Sequence, residues 1–360
     1  MDTRKFSPNQ IRFAAEMTHP KAYRDGRWIH YEEPAPKTHT LCGKDVLLRP
    51  GLTWTPYANP TPCNAHCAFC SEELLRKDGT HLTAKRTIRD YDVYFAGIDR
   101  FLQEISGFRL GLSLSGLEAT SEPNWLLRLL SLIQKHHHVF AEKVLYTNGS
   151  GLYTDERLIP SVRETGFDRI ELSRCSFDTQ KNQSIMRFQR NEPIWTSEAF
   201  LSLLRKLTPV LHVKLSCILC KTGTSSITEL EEYIFIAKEH GIQEIVFREL
   251  SQLGDSYIEN RFLRWIEENR VSVLECMEAI YSETGSLRTG WSFVGATCGY
   301  YYYNEIYDFV GIRIILEHSS YIAHEKAQQT GVFHKLVFHS NGDLCGDWVP
   351  NSNIIGNYCK

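Results

Sequence analysis

Long apolar runs are missing from this chain. No stretch approaches the roughly 18 apolar residues needed to cross a bilayer, and the N-terminal MDTRKFSPNQIRFAAEMTHP has no apolar core of a secretory leader. An excess of one charge is missing too, since 40 Lys and Arg against 43 Asp and Glu leave a net charge of −3. No global field therefore draws the protein to nucleic acid or to an acidic membrane, and no basic tract follows a phosphate backbone. Low-complexity tracts and long internal repeats are also lacking. These absences predict a cytoplasmic protein with no membrane partner and argue against a nucleic-acid partner.

What is present is a substantial core, with 42% apolar and 12% aromatic residues in 360. There are also eleven cysteines. An odd number of thiols in a long cytoplasmic chain argues against a disulfide framework and for metal or redox chemistry, although most of them read as ordinary buried thiols.

Residues 1–44 read as a polar N-terminal extension wrapping the domain. From 45 to 250 the pattern alternates. Strands are expected at 45–49, 109–115, 143–147, 169–173, 211–219 and 244–250. Helices are expected at 91–105, 125–137, 155–164 (ended by Gly166), 184–187, 197–207 and 227–240. Six strand–helix units at this spacing imply a parallel sheet with right-handed crossovers, and suit a partial barrel. Residues 251–360 change texture. Helices at 258–268 and 271–282 precede aromatic, β-rich segments (WSFVGATCGYYYYNEIY, VGIRIILEHSSYI and FHKLVFHSNGDLCGDW) that read as an antiparallel meander covering the barrel mouth.

The sharpest local signal is Cys63-Asn-Ala-His-Cys67-Ala-Phe-Cys70. Three thiolates on one short loop can each ligate one iron of a [4Fe–4S] cubane and leave the fourth iron open to a small chelating ligand. The alternative is a structural zinc site with His66 as fourth ligand.

This loop, with an aromatic residue before the third cysteine, resembles the signature of the radical S-adenosylmethionine (SAM) superfamily. The resemblance runs through the strand–helix units from about Leu47 to Leu250. It implies a partial (βα)6 barrel, a [4Fe–4S] cluster on Cys63, Cys67 and Cys70, SAM as cofactor, and a one-electron reductant such as a flavodoxin or ferredoxin. Ser115-Gly116-Leu117-Glu118 resembles the family's Gly-Gly-Glu-Pro segment, with Leu117 and Ala119 departing from the second glycine and the proline. Tyr146-Thr147-Asn148-Gly149 resembles its Thr-Asn-Gly turn. Phe69, Gly116, Leu117, Glu118, Asn148, Ser173, Arg174 and Ser216 are accordingly the expected SAM contacts, with Arg174 meeting the SAM carboxylate. Lys214 and Ser216 are polar in an apolar strand, so one face lines a cavity or alternates toward solvent.

Cys175, Cys217 and Cys220 lie on or just after barrel strands. There a thiol can return a hydrogen atom to a substrate radical; otherwise they are inert buried thiols. Arg248 and Glu249 either bind a polar substrate or pair with each other. Residues 336–356 faintly resemble a twitch or SPASM extension, but the paired cysteines that usually precede it are absent, so a second cluster on Cys276, Cys298, Cys345 and Cys359 is not expected. Tyr300–Tyr303, Tyr307 and Trp348 are candidates to close the barrel mouth, or are packing for the meander. With no further doubly wound unit for cobalamin and no peptide- or RNA-recognition module, the expected substrate is a small molecule. Peptide or RNA modification is the alternative, and a non-catalytic zinc-stabilised binding protein is the alternative of another class.

Overall fold

In a computed structural model, residues 21–24, 27–30, 34–57, 63–77, 79, 88–281, 286–299, 301–328, 330–350 and 352–360 are described. All six expected parallel strands form: β1 (Lys44–Pro56), β2 (Leu110–Leu114), β3 (Phe140–Thr147), β4 (Arg169–Ser173), β5 (Val213–Leu219) and β6 (Glu244–Glu249). They pair in that order. The helices between them start where a polar side chain can take up orphan backbone N–H groups. Asp90 accepts from Asp92 and Val93 at the head of α1 (Tyr91–Glu104). α2 (Pro123–Lys135) begins on its proline. α3 (Leu158–Thr165) ends on Gly166, whose φ of 68° is the left-handed cap expected there. Next come α4 (Thr179–Met186) and α5 (Ser197–Leu207). α6 (Ile227–Glu239) opens with a reciprocal Ser226–Glu229 capping box.

Alternation fixes which face of each strand meets the helices. Leu110, Leu112 and Leu114 of β2 are buried while Gly111 and Ser113 between them are partly accessible. Trp54 of β1 stacks between Phe101 of α1 and Phe140 of β3, with ring centroids 5.4 and 5.9 Å apart. Each such fully buried ring contributes roughly 1.5–3 kcal/mol of transfer free energy.

After α7 (Arg261–Asn269) and α8 (Val273–Ala279) the C-terminal part does more than cover the mouth. β7 (Trp291–Cys298), β8 (Tyr302–Phe309) and β9 (Ile312–Ser319) form the expected antiparallel meander. β9, however, adds parallel to β6, with Arg248 opposite Glu317. The third β-rich segment does not join the meander. After α9 (Tyr321–Gln328) it becomes β10 (Phe333–Phe338), which pairs parallel to β1 on the opposite edge, and β11 (Asp343–Cys345) and β12 (Ile354–Asn357) follow it antiparallel.

Eight parallel strands thus run in the order β10-β1-β2-β3-β4-β5-β6-β9. Among the described residues β9 and β10 do not pair with each other: β9 lies between β6 and β8, β10 lies between β1 and β11, and α9 connects them. Of the N-terminal extension, residues 37–41 pair antiparallel with β1, and residues 21–24 with β7. No helix of the described residues is long and apolar enough to cross a membrane.

Candidate active site

Cys63, Cys67 and Cys70 lie just beyond β1 on a loop tied down by backbone bonds. His66 N–H donates to Arg187 O at 3.0 Å, Ala68 N–H to Ile185 O at 2.8 Å, and Gln189 N–H to Asn64 O at 3.0 Å. The loop therefore lies as a short strand against residues 185–189, with Ala65 bridged to Phe188. A turn from Cys67 O to Cys70 N–H at 3.0 Å brings the last two thiols together.

All three thiols open into one cavity of about 490 Å³ at the C-terminal ends of the strands, where barrel active sites assemble. Burial pushes Cys63 up to about 11, with Glu118 adding to the effect. Burial pushes Cys70 up to about 12, with Glu72 adding, and it raises Cys67 well above its ordinary value, with Cys70 and Cys63 as neighbours. A site that buries three adjacent thiols without a counter-cation holds them protonated, and a bound metal cluster reverses that.

The strand ends opposite the loop are organised by Glu118. Its Oε1 accepts from Thr120 N–H at 3.0 Å, Thr120 Oγ1 at 2.6 Å and Thr147 Oγ1 at 2.5 Å, and its Oε2 accepts from Asn148 N–H at 2.6 Å. Burial raises its pKa against the pull of these donors. Asn148 Nδ2 in turn donates to Asn64 Oδ1 at 2.9 Å, inside the cysteine loop. One carboxylate therefore couples the β2 end, the β3 end and, through Asn148, the loop of the three thiols. Gly116 is required here by two constraints. Its φ is +110°, and a Cβ would lie 2.4 Å from the ring of Tyr57.

Of the residues expected to contact SAM, Phe69, Gly116, Leu117, Glu118, Asn148 and Ser173 line this cavity together with the three cysteines. Arg174 does not. Its guanidinium is buried behind β4, where it donates to Ser176 O at 3.0 Å, Ile194 O at 3.1 Å and Ser197 Oγ at 3.0 Å and stacks 4.8 Å over Phe200. The next residue along a strand points to the opposite face, so Ser173 enters the barrel and Arg174 leaves it. Ser216 shares the inner face of β5 with Ile218, but only Ile218 reaches the cavity.

Cys175, Cys217 and Cys220 do not line it either. All three are buried, with Cys217 Sγ 3.4 Å from Cys175 O, and burial raises all three. His66 is exposed and outside the cavity. Among the described residues no three His, Cys, Asp or Glu side chains converge as one metal ion requires. A zinc ion needs its sulfurs within roughly 4 Å of one another; a cubane, with each thiolate on its own iron, does not. The donor set fits the cluster.

On the cavity's far wall the sequence offered Arg248, Glu249 and Trp348 as candidates but not Glu317 or Ser319. Arg248 and Glu249 both line it but do not pair with each other. Arg248 donates to Glu171 at 2.8 Å and forms an ion pair with Glu317 at 2.9 Å, while Glu249 is held by Arg270 and by His318 at 3.0 Å. Glu317 and Ser319 come from β9, and Trp348 from beyond β11. Of the aromatics proposed to close the mouth, Trp348 reaches the cavity. Tyr303 and Tyr307 are buried against Glu305, and Tyr301 packs edge-on against His324. Tyr300 lies outside the described residues. Cys276, Cys298 and Cys345 are buried on three separate elements.

No protein family and no curated protein matches the chain by sequence. Solved structures do match its fold. SuiB of Streptococcus suis bound to S-adenosylmethionine superposes with a TM-score of 0.50 at 14% identity over 87% of this chain. The same protein bound to its precursor peptide SuiA gives 0.48 at 13% identity over 88% of this chain and 64% of that one. Coproporphyrinogen III oxidase (HemN) of Escherichia coli, a radical SAM enzyme, gives 0.39 at 13% identity over 72% of this chain and 67% of that one. The likeness to SuiB is one of fold. It spans 64% of the length of SuiB in the SAM-bound structure.

Proposed function

We propose that the chain is a radical SAM enzyme acting on a small molecule. The observation that carries this reading is the convergence of Cys63, Cys67 and Cys70 with Gly116, Glu118, Asn148 and Ser173 on one cavity of a radical SAM fold. The three thiolates hold a [4Fe–4S] cluster through three irons. When bound, cluster and SAM supply a one-electron cleavage that releases a 5′-deoxyadenosyl radical able to take hydrogen from an unactivated C–H bond.

The chain's own residues do the rest. Glu118 and the strand-end carbonyls around Gly116 present acceptors to the SAM ammonium, with Phe69 and Leu117 as apolar walls, and Asn148 and Ser173 offer polar contacts. Met186, Ile218, Leu250 and Leu253 exclude water from the interior, and Arg248, Glu317, Ser251 and Ser319 offer a polar end for the substrate. The volume accommodates small reactants and not a folded macromolecule. A one-electron reductant such as a flavodoxin or ferredoxin supplies the electron, and the cytoplasm supplies the reducing compartment.

The test is anaerobic reconstitution with iron and sulfide, addition of SAM and dithionite, and mass-spectrometric assay of 5′-deoxyadenosine. Wild type is expected to form it, and a Cys63→Ala, Cys67→Ala, Cys70→Ala protein is not. A colourless protein with stoichiometric zinc would overturn the reading.

A further inference from the structure

The chemistry proposed above leaves a carbon radical on the substrate, and the group that ends it has to stand in the same cavity. Two kinds of side chain have an X–H bond weak enough to give a hydrogen atom to an alkyl radical, the thiol of cysteine and the phenol of tyrosine. Cys175, Cys217 and Cys220 do not line the cavity, and Cys63, Cys67 and Cys70, which do, are the thiols assigned to irons. Among the described residues the phenols that reach it are Tyr146 and Tyr321.

Tyr321, at the start of α9, belongs to the cysteine loop, since it is hydrogen-bonded to Ser71 with Glu72 and Cys70 beside it. Tyr146 belongs to the strand wall. It lies on β3 in register with Glu171 of β4, and residues in register on paired strands share a face. Glu171 accepts from Arg248 at 2.8 Å, and Arg248 pairs with Glu317 at 2.9 Å. Ser173, two residues beyond Glu171, lines the cavity with Arg248 and Glu317. The phenol is therefore part of the polar wall offered to the substrate. Thr147 and Asn148, the next two residues, are bound by Glu118, so the carboxylate at the SAM side of the cavity also fixes the strand end that carries Tyr146.

We propose that Tyr146 is the hydrogen-atom donor of this site. The inference rests on the radical SAM reading and adds its closing step. The Tyr146 O–H bond breaks homolytically and a C–H bond forms on the substrate. The phenoxyl radical left behind takes one electron from the flavodoxin- or ferredoxin-class reductant and one proton from water, which restores the phenol. The reaction thus ends with hydrogen returned to substrate carbon and not with loss of an electron from it. Burial pushes Tyr146 up to about 12, with Glu171 adding and Arg248 opposing, so at neutral pH the O–H hydrogen is in place.

The experiment reconstitutes the full-length protein, exchanges it into D2O free of small thiols, and adds SAM and dithionite with no substrate. The radical then takes hydrogen from the cavity itself. An exchanged phenol marks the 5′-deoxyadenosine with deuterium, which mass spectrometry reads; water's own O–H bond is too strong to do so. Deuterated product is expected in the wild type and its loss in Tyr146→Phe at unchanged iron per chain, while Tyr321→Phe keeps the label. Electron paramagnetic resonance of samples frozen during the reaction is expected to show a phenoxyl radical that narrows on ring-deuterated tyrosine and vanishes in Tyr146→Phe. Product without deuterium in the wild type, or deuterium retained in Tyr146→Phe, would overturn the proposal. No 5′-deoxyadenosine at all from the cluster-loaded wild type would instead sink the radical SAM reading beneath it.

Discussion

Replacing Glu118 by Gln keeps the side chain's shape and changes one oxygen into an amide. In the native arrangement three donors converge on Oε1 and one, Asn148 N–H, on Oε2. The amide oxygen best serves the three, which leaves the NH2 facing Asn148 N–H, donor against donor. A charge-assisted bond is worth about 1.5–3 kcal/mol, and an unpaired buried N–H costs about 1–3 kcal/mol. The two overlap, so the expected loss is roughly 2–4 kcal/mol. Urea unfolding of the metal-free protein reads it.

Because Thr147 Oγ1 bonds the same oxygen, Thr147→Val and Glu118→Gln should be non-additive by about 0.5–3 kcal/mol in a double-mutant cycle. The damage should also spread to the cysteine loop through the Asn148–Asn64 bond, seen as faster hydrogen exchange at residues 64–68. A Glu118→Gln protein whose stability and loop protection match the wild type would refute the idea that this carboxylate clamps the strand ends.

Gly116→Ala meets both a positive φ and the Tyr57 ring; overpacking alone costs about 1–3 kcal/mol, and urea unfolding together with SAM affinity should both register it. Glu171 is buried among Arg248, Lys214 and Arg169, which hold its carboxyl below the usual range despite burial. Its stabilising contribution is therefore complete above the unfolded value of about 4.3 and is lost as pH falls through the lower folded value. Glu171→Gln should cost about 3–5 kcal/mol at neutral pH by leaving buried cations uncompensated, and the gap to wild type should narrow in unfolding curves taken at progressively acid pH. Arg174→Met should lower the thermal midpoint while leaving the SAM dissociation constant unchanged, because the guanidinium binds carbonyls behind β4; a selective loss of SAM affinity in a folded protein would contradict that.

The barrel strands were legible because their apolar runs are local and their ends are marked by glycine and capping residues such as Gly166 and Ser226. The roles of β9 and β10 were not. Val-Gly-Ile-Arg-Ile-Ile and Phe-His-Lys-Leu-Val-Phe read as strands, but nothing in a strand's own residues says whether its partner lies next in sequence or, as for β10, nearly three hundred residues back. The cysteine loop and Glu118 were legible because a ligand pattern and a strand end are short-range signals. Arg174 misled because its partners, the carbonyls of Ile194 and Trp195 and the ring of Phe200, are brought in by tertiary folding. The same holds for Glu317, which meets Arg248 on the cavity wall from a strand about seventy residues further on. His136, just past the end of α2, is buried against Asp99, with Nε2 to Oδ1 at 2.6 Å, a contact that its local sequence does not signal.

The central claim, a cluster held by three cysteines with one iron open to SAM, is tested most directly by electron paramagnetic resonance of the reconstituted, dithionite-reduced protein before and after SAM is added. The account predicts roughly four irons per chain, a reduced-cubane signal whose g-values move when SAM binds, and loss of iron and signal together when Cys63, Cys67 and Cys70 are replaced. A reduced-cluster signal indifferent to SAM, or one that survives the triple replacement, would contradict it.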